Sequence, residues 1–215
     1  MKGLFSLDNP LVQFLNDLTD VVVLNLICLL CCIPIVTIGA SITALHYVTL
    51  RMTRDEEGYI IKDFFRAFKQ NFKQATIIWL IFLAISFLFF LDIRIFNLVD
   101  FPRLVIAIVY ALYFFVCLTA MYVFPLLSRF NNTILNTIKN AFLMSIIHLL
   151  RTILLAIIYI LPVFVVPLHG TLVGVWILLG ISGPAYLASF IWKGIFKRYE
   201  PREEGGEEEE CAERE

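Results

Sequence analysis

Five long apolar stretches, at residues 18–39, 75–91, 104–127, 152–168 and 171–192, leave this chain little choice of fold. Each is about long enough to cross a bilayer core as a helix. Only helices and closed barrels satisfy their backbone polar groups in lipid. Runs of this length are helical, so the expected class is an all-α, polytopic transmembrane bundle of about five spanning helices. The basic residues fall on alternate sides of the runs. Arg51, Arg54, Lys62, Arg66, Lys69 and Lys73 lie between the first and second. Arg129, Lys139 and Arg151 lie between the third and fourth, and Lys193, Lys197, Arg198, Arg202 and Arg214 follow the fifth. The other side holds Lys2, Arg94 and Arg103. Basic residues concentrate on cytoplasmic loops. With five crossings the expected arrangement is N-terminus outside and C-terminus cytoplasmic.

Composition agrees with a lipid-facing surface. Hydrophobic residues make up 60% of the chain and charged ones 16%, with a mean hydropathy of +0.85; soluble domains hold roughly 45–50% apolar residues. Half of the acids are concentrated downstream of Tyr199, where Glu207 to Glu210 form an unbroken run. The expected division is therefore a membrane helical domain at 1–198 and an acidic, disordered cytoplasmic tail at 199–215. The first run follows Asp17 and Asp20 rather than a basic segment, which favours a retained helix over a cleaved signal peptide.

Within the first run, Pro34 predicts a kink, and Gly39-Ala40-Ser41 offers small residues for close helix approach. Gly183 and Pro184 repeat that theme in the fifth run. Asn25 stands alone among apolar neighbours, and an amide at membrane depth is expected to find a partner on another helix. Cys28, Cys31 and Cys32 share the first helix and Cys117 the third, where they are expected to pack as small hydrophobes.

Between the first two runs, residues 59–74 are amphipathic. Ile61, Phe64, Phe65, Phe68 and Phe72 fall on one face of a helix; Lys62, Arg66, Lys69 and Lys73 fall on the other. An aromatic face opposite a basic one predicts a helix lying in the headgroup region of an anionic inner leaflet. The same basic face suits an acidic partner. A fainter copy aligns residues 137–142 with 67–72, which suggests a parallel duplication.

Catalytic chemistry finds no residues to stand on. There is no phosphate-cradling glycine loop, nucleophile elbow, His-Glu-x-x-His helix or paired carboxylate in the runs. His46, His148 and His169 have no partner at metal-ligand spacing and are expected to be interfacial polar residues. The expectation is a non-enzymatic protein with no catalytic, cofactor-binding or metal site. Nucleic acid is not an expected partner, because lipid accounts for basic residues beside spanning helices. Nothing in the residues indicates an oligomeric state.

One stretch carries a family resemblance. Thr37-Ile38-Gly39-Ala40-Ser41-Ile42-Thr43-Ala44-Leu45-His46-Tyr47-Val48 precedes Asp55-Glu56-Glu57-Gly58-Tyr59, followed by Phe64-Phe65-Arg66-Ala67-Phe68-Lys69-Gln70-Asn71-Phe72-Lys73-Gln74-Ala75. Together with Leu24-Asn25-Leu26 and Pro34, this resembles the YesL family of bacterial integral membrane proteins, a domain of unknown function. The resemblance is strongest over about residues 20–80 and extends to about 198. Ala40 stands where that family often has proline, which leaves the kink to Pro34. The resemblance implies a multi-pass protein of the bacterial cell membrane, encoded near carbohydrate-uptake genes. It thus implies an accessory role beside carbohydrate transporter subunits; the competing expectation is a small transporter in its own right.

Overall fold

The computed structural model describes residues 10–54, 56, 58–96, 98–99, 101–168 and 173–199. Every secondary-structure element among them is helical: α1 (Pro10–Cys32), α2 (Ile38–Met52), α3 (Ile60–Phe96), α4 (Arg103–Arg129), α5 (Ile134–Ile147), α6 (Leu149–Leu168), α7 (Val173–Leu179) and α8 (Ser182–Phe196), with one 3-10 turn at Ile35–Thr37. Four helical segments are singly long and apolar enough to cross a membrane, and two bent pairs raise the number to as many as six. The all-α membrane bundle is the observed class. His169 and the acidic tail from residue 200 lie outside the described residues.

The expected first span at 18–39 is not one helix. Proline lacks the N–H that would bond the carbonyl one turn back, so α1 ends at Cys32 and the chain doubles back through the 3-10 turn. Reversal, rather than a kink, is fixed by what packs together. Leu24 and Cys28 of α1 share one buried cluster with Ala44, Leu45 and Val48 of α2. The two helices also meet α8 in opposite senses. On α1, Val21 O accepts from Ser182 Oγ at 2.8 Å and Asp17 Oδ2 accepts from Tyr186 Oη at 3.3 Å, so α1 runs against α8. On α2, Leu45 clusters with Ala185 and Thr53 O accepts from Lys193 Nζ at 2.6 Å, so α2 runs with α8. The start of α1 and the end of α2 therefore lie at the same end of the bundle. An external N-terminus rested on one crossing by residues 18–39, and the hairpin removes that basis.

α2 is the central element, buried from Gly39 through most of its length. Its small hydroxyl residues avoid lipid by bonding the backbone one turn back: Ser41 Oγ donates to Thr37 O at 3.0 Å and Thr43 Oγ1 to Gly39 O at 2.8 Å. Small residues let α3 come close. A Cβ on Gly39 would meet Ala75 O and Trp79 Cβ, each at 2.6 Å.

α3 corrects a second expectation. It runs for 37 residues without interruption, about 55 Å at 1.5 Å per residue. The amphipathic stretch is thus collinear with the span that follows, not a separate helix lying flat among headgroups. A hydrocarbon core of about 30 Å, even with a tilt of 40°, accommodates only some 26 residues, so more than two turns must project. The fainter copy differs: α5 and α6 meet at 101° around His148. The suggested duplication therefore does not carry a common helix geometry.

The hairpin also stops short. Its tip is held where Trp79 Nε1 donates to Ile35 O at 2.8 Å. From Trp79 to the end of α3 at Phe96 is about 25 Å along the helix axis. Above the tip, α3 meets α4 through Phe89 stacked on Tyr113 at 3.8 Å and Tyr113 Oη bonded to Ser86 Oγ at 3.3 Å.

Gly39→Ala is expected to destabilise the fold by about 1–3 kcal/mol, because a backbone oxygen and a Cβ must move. Gly183, whose added Cβ would meet only Leu179 Cβ at 3.6 Å, should accept alanine with no loss. Denaturant unfolding of both variants in detergent checks the contrast.

Candidate functional site

Two places concentrate polar chemistry, one inside the bundle and one at its basic end. The first begins with a broken helix. α7 and α8 are bent by 49° across Gly180 and Ile181, which frees backbone groups where water is absent. Asn25 takes them up. Its Nδ2 donates to Ile177 O at 2.7 Å, while its Oδ1 accepts from Ile181 N at 3.1 Å and Ser182 N at 2.9 Å. One side chain thereby caps the end of one half-helix and the start of the next. Pro184 sits in the first turn of α8, where a missing N–H costs nothing.

Beside that break lies a cavity of about 380 Å³, walled by α2, α4, α6 and the α7–α8 junction. Most of its lining is aliphatic or aromatic, with Phe124, Trp176 and Pro184 among the walls. Two polar groups join the lining: His46 and Tyr159, with ring centroids 6.4 Å apart in an edge-on arrangement. His46 is only 4% exposed and its Nδ1 has no hydrogen-bond partner. The Tyr159 hydroxyl and the Trp192 indole N–H are likewise buried without a well-aligned partner. Trp192 is itself fully buried, edge-on to Tyr122 at 4.7 Å, and the Tyr122 hydroxyl shares a 2.7 Å hydrogen bond with Thr152 Oγ1.

Of the histidines, then, His46 is not interfacial: it faces the cavity. His148 is the corner residue between α5 and α6, its Nε2 3.1 Å from Tyr199 Oη. Partial burial, then the positive charges of Arg151 and Arg198, hold its imidazole below the usual range.

The second place is the basic end. Arg51 organises it, bonding Asp63 Oδ2 at 2.8 Å through Nη1 and Glu56 Oε2 at 3.0 Å through Nε. Gly58 lies against this pair: a Cβ there would strike Asp63. Arg51, Gly58, Tyr59, Lys62, Asp63 and Arg66 line a polar cleft of about 620 Å³. Lys62, Arg66, Lys69 and Lys73 are all exposed along α3, with Arg66 3.6 Å from Asp63. Phe64 and Ala67 on the opposite face are buried against α2; only Ile61, Phe65 and Phe72 of the aromatic face remain open.

The sequence-derived residues thus separate into distinct groups. Asn25 comes together with the segment holding Gly183 and Pro184; Pro34 and Gly39 come together at Trp79; the four basic residues stand apart from both. Tyr159, Trp176 and Trp192 were not singled out from the sequence. For Tyr159 and Trp176 the signal is a polar-tipped aromatic residue inside an apolar run, where such rings need a partner for the tip; Trp192, at the end of its run, has no such signal.

Residues 21–93 match a family described as "Protein of unknown function, DUF624". The matched segment holds most of α1, all of α2 and most of α3, so it contains the hairpin, its tip and the basic extension. A search of curated proteins found no match, and neither did a search of solved structures.

Replacing Asn25 with leucine strands one carbonyl and two N–H groups in an apolar setting. Each stranded buried group costs about 1–3 kcal/mol, so Asn25→Leu should be the most destabilising single change in α1. Unfolding in detergent measures it; wild-type stability would contradict the capping role.

Proposed function

We propose that this chain, whose first three helices match a family of unknown function, is a non-enzymatic accessory protein of the bacterial cell membrane that works through its cytoplasmic end. The observation that carries the reading is the rigid extension of α3. Because α3 continues unbroken out of its span, Lys62 lies about 16 Å along the axis beyond Lys73. Lys73 and Lys69 are placed to meet anionic headgroups. Lys62 stands about 10 Å beyond even Lys69, more than a Debye length of about 8 Å at physiological salt, with Arg66 between them. Lys62 and Arg66 flank the polar cleft with Tyr59, which is 80% exposed, and suit the acidic surface of a partner protein.

The hairpin supports one orientation. The loop between α2 and α3 and the residues after α8 carry most of the basic charge, so both belong inside. The start of α1 shares that end of the bundle, and both termini are therefore cytoplasmic in this reading. The resemblance to the YesL family supplies the class of partner, a carbohydrate importer subunit.

A transporter in its own right is the competing reading. It would need a polar pathway through the bundle, whereas the interior cavity is walled mainly by apolar side chains. Capture of the tagged protein from membranes in mild detergent tests the proposal. A transporter subunit should co-purify and be lost on Lys62→Glu with Arg66→Glu, but retained on Lys69→Gln with Lys73→Gln. Capture of no such subunit, together with unchanged sugar uptake in a deletion strain, would sink it.

A further inference from the structure

We infer that the acidic segment after Tyr199 docks on the outer basic face of α3 of its own chain and covers the surface that a partner would use. The docking stands on this chain alone; its consequence for a partner rests on the accessory reading above.

The basic face is narrow. At 100° per residue, Lys62, Arg66, Lys69 and Lys73 fall within about 60° of the α3 circumference, in a stripe about 16 Å long. All four are exposed. Arg51 is occupied by Asp63 and Glu56, and Arg66 approaches Asp63 only to 3.6 Å. Lys62, Lys69 and Lys73 make no ion pair among the described residues. Lys62 with Arg66, and Lys69 with Lys73, are like-charge neighbours one helical turn apart. Such pairs repel, so an anion lying along the stripe relieves them.

The chain itself supplies that anion. Residues 200–215 hold nine glutamates and two arginines, whereas the remaining residues hold fifteen basic and nine acidic side chains. The negative inner leaflet repels such a segment. Glu207 to Glu210 in extended form cover about 13 Å, enough to pass from Lys62 to Lys69.

The segment also starts in the right place. Tyr199, the residue before it, has its Oη 3.1 Å from His148 Nε2. Tyr199 shares a groove with Asn132, whose carbonyl accepts from Gln74 Nε2 of α3 at 2.6 Å. Earlier on α8, Lys193 Nζ donates to Thr53 O at the end of α2. The segment therefore leaves the bundle beside α3 and beside the loop that leads into it. Glu207 lies eight residues past Tyr199, a reach of up to about 26 Å, so the stripe is within range. An exposed ion pair alone is weak, but carrying both partners on one chain gives an effective concentration on the order of millimolar. An acidic partner must displace the segment to reach Lys62 and Arg66.

A water-soluble carbodiimide joins a carboxylate to an amine only where the two touch, and the intact chain in nanodiscs of neutral lipid is the sample. Peptide mapping should find links from Glu207–Glu210 to Lys62 and Lys69, beyond Lys193 and Lys197 at the end of α8. Arg66→Glu leaves both amines in place and should cut those links about fivefold, through one lost attraction and one new repulsion. Salt at about 0.5 M should do the same by screening. In a mixture of chains made with light and heavy nitrogen, the links should join residues of like label. Links confined to Lys193 and Lys197, a yield indifferent to Arg66→Glu, or links that join unlike labels as often as like ones would overturn the inference. Capture from membranes reads the consequence. Glu207→Gln, Glu208→Gln, Glu209→Gln and Glu210→Gln combined should raise recovery of the transporter subunit about fivefold. Equal recovery from both chains would overturn the cover. Recovery from neither counts against the accessory reading alone, because the links decide the docking.

Discussion

A chain that turns around where there is no water must account for every backbone N–H and C=O it takes out of helix. Residues 33–37 meet that requirement locally. Thr37 N donates to Pro34 O at 3.0 Å and Ile33 N to Leu30 O at 3.3 Å. The Thr37 hydroxyl shares its proton between Cys31 O at 2.6 Å and Pro34 O at 2.7 Å, and Trp79 reaches across from α3 to Ile35 O. Satisfied in this way, a tip as apolar as Ile33-Pro34-Ile35-Val36 can remain exposed to lipid. The placement of α2 in the centre, the shared end for α1 and α2, and the packing of α3 on Gly39 all depend on this turn. Asn25 solves the same problem for α7 and α8. Two broken regions are thus stitched to the bundle by side chains of helices that are themselves continuous.

Much of this was legible in the residues. The helical class, the membrane setting and most spans follow from apolar run length. The reversal was not legible, because α2 belongs to the least apolar of the four candidate spans: Ser41, Thr43, His46 and Thr49 help to lower its hydropathy to 1.3, against 1.8 for α1. Hydropathy charges those residues for exposure to lipid, yet all four are buried in protein. From the sequence Pro34 predicts no more than a kink, because a proline alone does not distinguish bending from reversal. What decides is Thr37 and Trp79, and Trp79 is more than forty residues away.

The continuity of α3 was available in principle. No glycine or proline stands between Ile60 and Phe96, so nothing ends the helix where its pattern changes from amphipathic to uniformly apolar. The break at His148 has no such signal. There Thr152 Oγ1 takes up Ser145 O at 2.9 Å and His148 O at 3.1 Å, a tertiary solution invisible to local propensity. The cavity was hidden for the same reason. His46, Tyr159 and Trp192 come from three different helices, and their common lack of partners exists only once those helices are packed.

The central claim is that α1 and α2 form a hairpin which returns the chain to the side it came from. Asn16, exposed near the start of α1, offers the most direct test: a single cysteine placed there by Asn16→Cys, in a chain whose native cysteines are replaced by serine. A membrane-impermeant maleimide should label it only after cells are permeabilised, while a control cysteine at Leu98, in the α3–α4 connection, should react in intact cells. Labelling of Asn16→Cys in intact cells would place α1 across the membrane and contradict the hairpin.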